Sequence, residues 1–518
     1  MGKKYDVVVI GAGNGGLIAA TTAAHAGKKT LLLERHNIPG GSATSFVRGR
    51  FEFEASLHEL CGIGPYIEGG RELKAIFDEL GVSKKIEWVT LNEAFRMITL
   101  NDKENVDYTL PTTRKAFIDK VEEYCPGSRE KCEKLFDIIE EANAGLDYLG
   151  TIQNFSTDIF KKIFGEYSDF INCAGYTVNE VFDALDLPKA ARDCFGGYWL
   201  YLGTPLDEQS FMHYFTMFKS YIIDGPVIPK TRSHGISSAI LDRFEELSGE
   251  VWMSTAVKKI IVRNGTACGV ELENGDIIDC DYVICNSSPY NMYTKLIDGK
   301  DIPKYQIKKL NSVKLAPKGF SLFLGLDKSA EELGIKNHSY FIYDTADTSK
   351  QSQLTRSRAG NNMQAAVCLN NGLPDCSPEG TCILYLTALF TGDSAWDDIN
   401  EENYVAAKRE FADRMIANFE KATGTEIRSH IEEIEIASPV TYARYLDAPN
   451  GTIYGFENTG SYGIVSRVVT DAMGKKINHL YYAGGYGSKS LGYSPSYSTG
   501  YEAAAAVLKN IEKEAGLK

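Results

Sequence analysis

One short segment constrains this chain more than any other. Residues 5–10 form an apolar, β-branched run, and Gly11-Ala12-Gly13-Asn14-Gly15-Gly16 follows it directly. An alanine-rich stretch, residues 17–26, ends at Gly27, and a second apolar run over residues 29–33 closes on Glu34. Short apolar β-branched runs read as buried parallel strands. The alanine-rich stretch reads as a helix with a glycine at its C-terminal cap. A lone GxGxxG is weak evidence, but strand, helix and trailing acid complete the dinucleotide fingerprint. Gly11 permits the tight turn, Gly13 lets the backbone approach a pyrophosphate, and Gly16 lets the helix pack on the strand. The helix N-terminus, with Asn14 and Gly15 in its first turn, offers free N–H groups to phosphate. Glu34 accepts from ribose hydroxyls and repels a 2′-phosphate, which argues against NADP.

Arg35 and the pair Gly40-Gly41, with Ser42 and Thr44 after it, add a second loop able to pass close to the same ligand. Further along, residues 129–143 read as a charged amphipathic helix and residues 237–247 as another. Residues 257–262 and 267–272 read as strands joined by Asn264-Gly265, with a further turn at Asn274-Gly275. Residues 282–285 read as a buried strand. Residues 320–326, 363–369 and 382–389 read as strands, interrupted before the C-terminus by a helix over 402–421. The last seventy residues hold a short strand over 480–483, a glycine-rich stretch over 484–500 and a final helix.

Composition narrows the partners. The 518 residues are 43% hydrophobic and 24% charged, as folded globular chains are. With 55 basic against 69 acidic residues the net charge is −14, which argues against nucleic acid. The 11 cysteines are an odd number without paired spacings, so they read as reduced thiols of a cytoplasmic protein, not a disulfide framework or a metal site. No apolar run reaches the 18 or so residues of a membrane span, and the N-terminus does not read as a secretory signal. Peripheral membrane contact and homo-oligomerisation stay open.

The segments GAGNGGLIAA, Glu34 to Gly41, and LYYAGGYGSKSLGYSPSYSTGYEAAAAVL together resemble the FAD-dependent phytoene desaturase, carotenoid isomerase and retinol saturase family, within the amine-oxidase-like flavoproteins. Residues 255–275 resemble the family segment that passes the adenine, with Val257 as its contact, and residues 441–455 the stretch before the C-terminal flavin motif. The resemblance implies FAD, with Gly484 and Gly485 near the ribityl chain and pyrophosphate. It also implies that Gly500 and Tyr501 begin a last helix under the flavin ring. One position departs from the pattern: an acidic residue commonly follows the glycine matching Gly484, and here Gly485 stands there. The implied fold is α/β, with a Rossmann-type FAD-binding domain assembled from residues 1–85, 226–300 and 446–518. Residues 86–225 and 301–445 supply an inserted substrate domain of mixed β-sheet and helices.

Flavin N5 transfers hydride, so the protein positions substrate and moves protons. Tyr493, Tyr497, Lys489 and Ser490, all in the expected C-terminal loop, are candidates, and Tyr493 matches a flavin-facing aromatic of amine oxidases. His58 and His234 are candidate proton carriers near pH 7. The aromatic stretch Phe195, Tyr198, Trp199, Tyr201, Phe211, Tyr214, Phe215, Phe218, Tyr221 admits three readings: a tunnel for a long lipophilic substrate, a membrane-dipping surface, or a helix core. The reading that unites these features is hydride transfer at C–C or C=C bonds of a hydrophobic, unsaturated substrate: desaturation, saturation or isomerisation. Its electron donor or acceptor is unspecified, since no second fingerprint marks an internal nicotinamide site. A flavin amine oxidase is the alternative. A non-catalytic FAD or lipid carrier is a third reading.

Overall fold

The computed structural model describes residues 4–65, 72–101, 103–150, 157–392, 394–459, 462, 467, 476–487 and 492–516. The α/β fold is built on two seven-stranded sheets. The first is centred on Tyr5–Ile10, which pairs in parallel with Ile277–Cys285 on one side and Thr30–Leu33 on the other. Val7 and Val9 face one apolar cluster, and Val8 and Ile10 the opposite one. Both faces are therefore buried, which is why this run is apolar at every position but Asp6. Glu250–Trp252 extends the parallel sheet beyond Thr30–Leu33, and Leu480–Tyr482 pairs with the far end of Ile277–Cys285. The sheet thus gathers strands from the start, middle and end of the chain. The strand Ile277–Cys285 starts earlier than its apolar pattern predicts. Its first residues pair antiparallel with Thr266–Leu272, which pairs in turn with Val257–Arg263.

The second sheet runs in the order Ile431–Ala437, Lys318–Leu326, Cys382–Phe390, Gln364–Cys368, Ser339–Tyr343, Glu93–Thr99, Asp107–Pro111. It is antiparallel except where Ser339–Tyr343 meets Glu93–Thr99. One face carries Leu322, Leu324 and Leu386 against Phe411, Met415 and Phe419 of helix Tyr404–Thr423. Helices drawn from residues 114–222 pack against Phe95, Phe341 and Tyr343. Phe195, Tyr198, Trp199, Phe211, Tyr214, Phe215 and Phe218 are fully or almost fully buried there. Of the three readings of the aromatic stretch, helix core holds for these seven.

Helix bounds depart from sequence expectation: that expected over 129–143 runs Arg129–Gly150, and that over 402–421 runs Tyr404–Thr423. The helix expected over 237–247 runs Arg232–Glu246. The C-terminal helix runs Tyr493–Glu514, with Gly492 as its N-cap at φ +100°. It therefore begins before Gly500 and Tyr501, and Tyr493 and Tyr497 sit on its first turns, not in a loop. Among the described residues, no helix is long and apolar enough to cross a membrane.

Candidate functional site

The glycine turn is shaped by what surrounds it. Gly11 sits at φ +93°. A Cβ on Gly16 would lie 1.9 Å from the Gly11 carbonyl oxygen, so only glycine lets the helix start here. Helix Asn14–His25 starts at Gly13. The Gly40 amide donates to the Ala12 carbonyl at 2.7 Å, bringing the second glycine loop beside the first. Asn286, at the end of the middle strand, joins all three chain segments. In the amide orientation that satisfies both neighbours, it donates to the Ala483 carbonyl at 2.9 Å and accepts from the Gly13 amide at 3.2 Å. Sequence reasoning missed Asn286.

These loops open onto one cavity of about 2270 Å³. Its wall includes Gly11, Gly13, Asn14, Gly15, Glu34, Arg35, Gly40, Gly41, Ser42, Val257, Gly484, Gly485 and Tyr501. Gly16 and Gly500 are not in the wall. Gly500 instead packs on Gly15, whose carbonyl oxygen lies 2.1 Å from where its Cβ would be. The two helices meet through glycine at this seam, and Thr499 Oγ1 holds the Gly484 amide at 3.0 Å.

The cradle fits a dinucleotide. The first N–H groups of a helix have no partner within it, and Asn14 Oδ1 is buried without a partner among the described residues. A Cβ on Gly15 would stand 2.8 Å from the Gly484 amide nitrogen, so the chain passes too closely for any side chain there. Glu34 accepts from the Ala12 and His36 amides at 2.7 and 2.8 Å, which fixes its carboxylate at the cavity wall. Arg35 Nη2 donates to the Tyr445 carbonyl at 2.8 Å. Its head is thereby tied to helix Pro439–Leu446 across the opening.

The far side of the cavity differs in character. Leu57, Leu146, Leu149, Met217, Phe323, Ile453 and Tyr454 line it. From the aromatic stretch only Tyr201 and Tyr221 reach it. Tyr493 lines the wall, and its hydroxyl donates to the Ser42 carbonyl at 2.8 Å and shares a 2.9 Å bond with Ser56 Oγ. Burial pushes its phenol well above the usual tyrosine range. Tyr497 faces away, edge-on to Phe77 at 5.4 Å in the core, so it is not a proton donor to this space. His234 is outside the wall, and Lys489 and Ser490 lie outside the described residues. His58 lines the wall, but burial, reinforced by nearby His338, pushes its imidazole down to about 4. It is neutral at pH 7, which removes the imidazolium expected of it.

Two buried carboxyls in the wall went unrecognised in the sequence. Glu54 accepts from the Ser233 amide at 2.8 Å and from the Ser56 and Leu57 amides at 3.2 and 3.1 Å, and burial raises it above the carboxylate range. Glu59 is 4% exposed. Its Oε1 accepts from Tyr201 at 3.0 Å and Tyr198 at 3.3 Å, while Oε2 has no partner among the described residues. Burial pushes Glu59 up to about 8, against the opposing pull of the two tyrosines.

Comparison with known proteins follows the same lines. Residues 15–508 match the family model described as flavin containing amine oxidoreductase. All-trans-retinol 13,14-reductase of Danio rerio is 26% identical over 491 residues, covering 88% of this chain and 78% of that one. The chloroplastic prolycopene isomerase of Daucus carota is 25% identical over 477 residues, covering 88% and 72%. Among solved structures, putrescine oxidase bound to putrescine superposes with a TM-score of 0.62 at 14% identity, covering 98% of this chain and 99% of that one, a likeness of fold.

Proposed function

Because the chain belongs to the flavin containing amine oxidoreductase family, and is an FAD-dependent oxidoreductase, we propose that it acts on C–C or C=C bonds of a hydrophobic polyene. The observation that carries this is the cavity. At about 2270 Å³ it exceeds the roughly 300–1,000 Å³ of an ordinary ligand site more than twofold. It runs on from the dinucleotide cradle into a wall of leucine, methionine and aromatic side chains. That leaves room for a long apolar substrate beside the cofactor. The two relatives above are named for a retinol reduction and a prolycopene isomerisation, both on conjugated chains. The amine oxidase alternative has the family's description and likeness of fold behind it, and is less supported than the polyene reading.

When bound, FAD accepts or gives a hydride. The protein's own work is placement. The N-terminus of helix Asn14–His25 would hold the pyrophosphate and Glu34 the ribose, with the Gly484–Gly485 backbone in place of the acid seen elsewhere in the family pattern. Val257 and Tyr501 would close the wall around the cofactor. The apolar side excludes water and aligns the chain to be modified, which removes the entropy of orientation from the barrier. The electron partner is a second protein or a diffusible carrier. A substrate of this kind partitions into bilayers, so the reading places the protein in the cytoplasm with peripheral membrane contact.

The test is anaerobic incubation of the holoenzyme, oxidised or reduced, with polyenes, retinoids, unsaturated fatty acids and enone steroids, read by mass spectrometry. Gain or loss of two hydrogens, or an unchanged mass with a shifted retention time, supports the reading and gives its direction. No change in any of these, with turnover of amines, overturns it.

A further inference from the structure

We propose that Glu59 is the proton donor of this cavity, giving its proton to a carbon of the bound polyene. The inference rests on the polyene reading above.

The geometry singles out this carboxyl. It forms part of the cavity wall yet is almost wholly buried. Both of its hydrogen bonds arrive at Oε1, from the hydroxyls of Tyr201 and Tyr198. Oε2 has no partner among the described residues. That asymmetry is the pattern of a neutral acid: the carbonyl oxygen accepts two bonds and the other oxygen carries the proton. Around it stand Tyr198, Tyr201 and Tyr221, whose phenols burial drives well above their usual range. Cys61 and neutral His58 flank it on its own segment. Glu93 lies near enough to raise it further, and His338 donates its amide to Glu93 at 3.1 Å. Desolvation holds Glu59 protonated up to about pH 8. Glu54, the other carboxyl of the wall that burial raises, has both oxygens engaged by Ser233, Ser56 and Leu57.

The chemistry balances on this residue. The Oε2–H bond breaks and a C–H bond forms, using the π pair of one double bond. The positive charge left behind spreads along the conjugated chain, and the bonds whose order has fallen can rotate. The two tyrosine hydroxyls, already in place, stabilise the carboxylate. When Glu59 takes a proton back, the C–H pair restores a double bond and the net result is isomerisation. Saturation needs the same proton together with a hydride.

The experiment compares the wild-type holoenzyme with Glu59→Gln and Tyr201→Phe. Glutamine keeps the shape and the oxygen that accepts from the tyrosines, but it is no acid. General acid catalysis contributes about 10²–10⁴-fold, so Glu59→Gln should lower kcat by at least about a hundredfold with KM little changed and flavin content intact. In D2O the wild type should place deuterium on a polyene carbon, and its rate should fall as pH rises through about 8. Tyr201→Phe, which removes one of the bonds that stabilise the carboxylate, should lower kcat by less than Glu59→Gln does and move that fall to higher pH. Infrared difference spectra of the holoenzyme without substrate should show a protonated carboxyl at pH 7 that Glu59→Gln lacks. An ionised Glu59 at pH 7 overturns the proposal, as does wild-type turnover by Glu59→Gln with the same pH limb. A wild type that converts no polyene overturns the functional reading instead, and the infrared titration separates the two failures.

Discussion

Gly500→Ala tests whether the seam between the first and last helices sets the cofactor cradle. A Cβ there would meet the Gly15 carbonyl oxygen at 2.1 Å and its Cα at 2.9 Å. Backbone cannot rotate aside as a side-chain tip can. The last helix must therefore withdraw by about 1 Å, an overpacking of about 1–3 kcal/mol. Alanine's better helix propensity offsets roughly 1 kcal/mol of that, so global stability changes little. Cofactor binding is the sensitive readout. Gly15 is in the cavity wall, and Thr499, the neighbour of Gly500, holds the Gly484 amide. Displacing the helix pulls both sides of the cradle apart. Reconstituting apoprotein with FAD should give an affinity at least about tenfold weaker, roughly 1.4 kcal/mol. Gly165→Ala is the control, since nothing lies within 4 Å of its Cβ position. Wild-type FAD affinity in Gly500→Ala would refute the reasoning.

The other predictions are shorter. Gly13→Ala with Glu34→Ala should yield a colourless protein, and a full flavin complement by absorbance would defeat the assignment of the cradle. Tyr493→Phe, which loses bonds to Ser42 and Ser56, should turn over more slowly with FAD bound; normal turnover makes Tyr493 scaffold. Phe218→Ala, 0% exposed, should cost about 3–5 kcal/mol in denaturant unfolding, whereas Tyr221→Phe at the cavity should cost less than about 1 kcal/mol. Glu59 is held at about 8 in the fold against 4.5 unfolded, so the folded state binds the extra proton and stability falls as pH rises from about 4.5 through 8. Fully developed above pH 8, the loss is about 5 kcal/mol at 1.36 kcal/mol per tenfold step. Glu54 and Glu93 are raised too and push the same way. The difference between wild type and Glu59→Gln across that window therefore isolates Glu59, and parallel curves would show that it is not buried as an acid.

The first sheet was legible because its strands are buried on both faces. Tyr5–Ile10 shows one apolar run, interrupted only by Asp6, whose ends match the pattern. The C-terminal helix was not. Pro495 and the serines around it read as loop, yet proline is tolerated in a first turn, where its missing N–H has no partner to lose. Gly500 reads as a helix start for the same local reason, although its glycine answers to a carbonyl on a helix nearly five hundred residues away in sequence.

The glycine cradle could be read because its chemistry is local: the turn, the helix start and Glu34 lie within one βαβ unit. The acid could not. Phe51–Glu54 alternates in a way that assigns Glu52 and Glu54 to a solvent face, but helix Arg232–Glu246 covers that face, with Arg232 on Glu52 and Ser233 on Glu54. Glu59 is buried by tyrosines 139 and 142 residues further along. These belong to the aromatic stretch that the sequence left open between tunnel, membrane surface and core. Its phenylalanines fill the helix core, while two of its phenol hydroxyls turn toward one carboxyl at the cavity wall. A hydroxyl in such a stretch needs a partner once buried. The tyrosines among the phenylalanines were thus the sequence's trace of buried acceptors, which the structure identifies as the Phe195 carbonyl for Tyr214 and as Glu59 for Tyr198 and Tyr201.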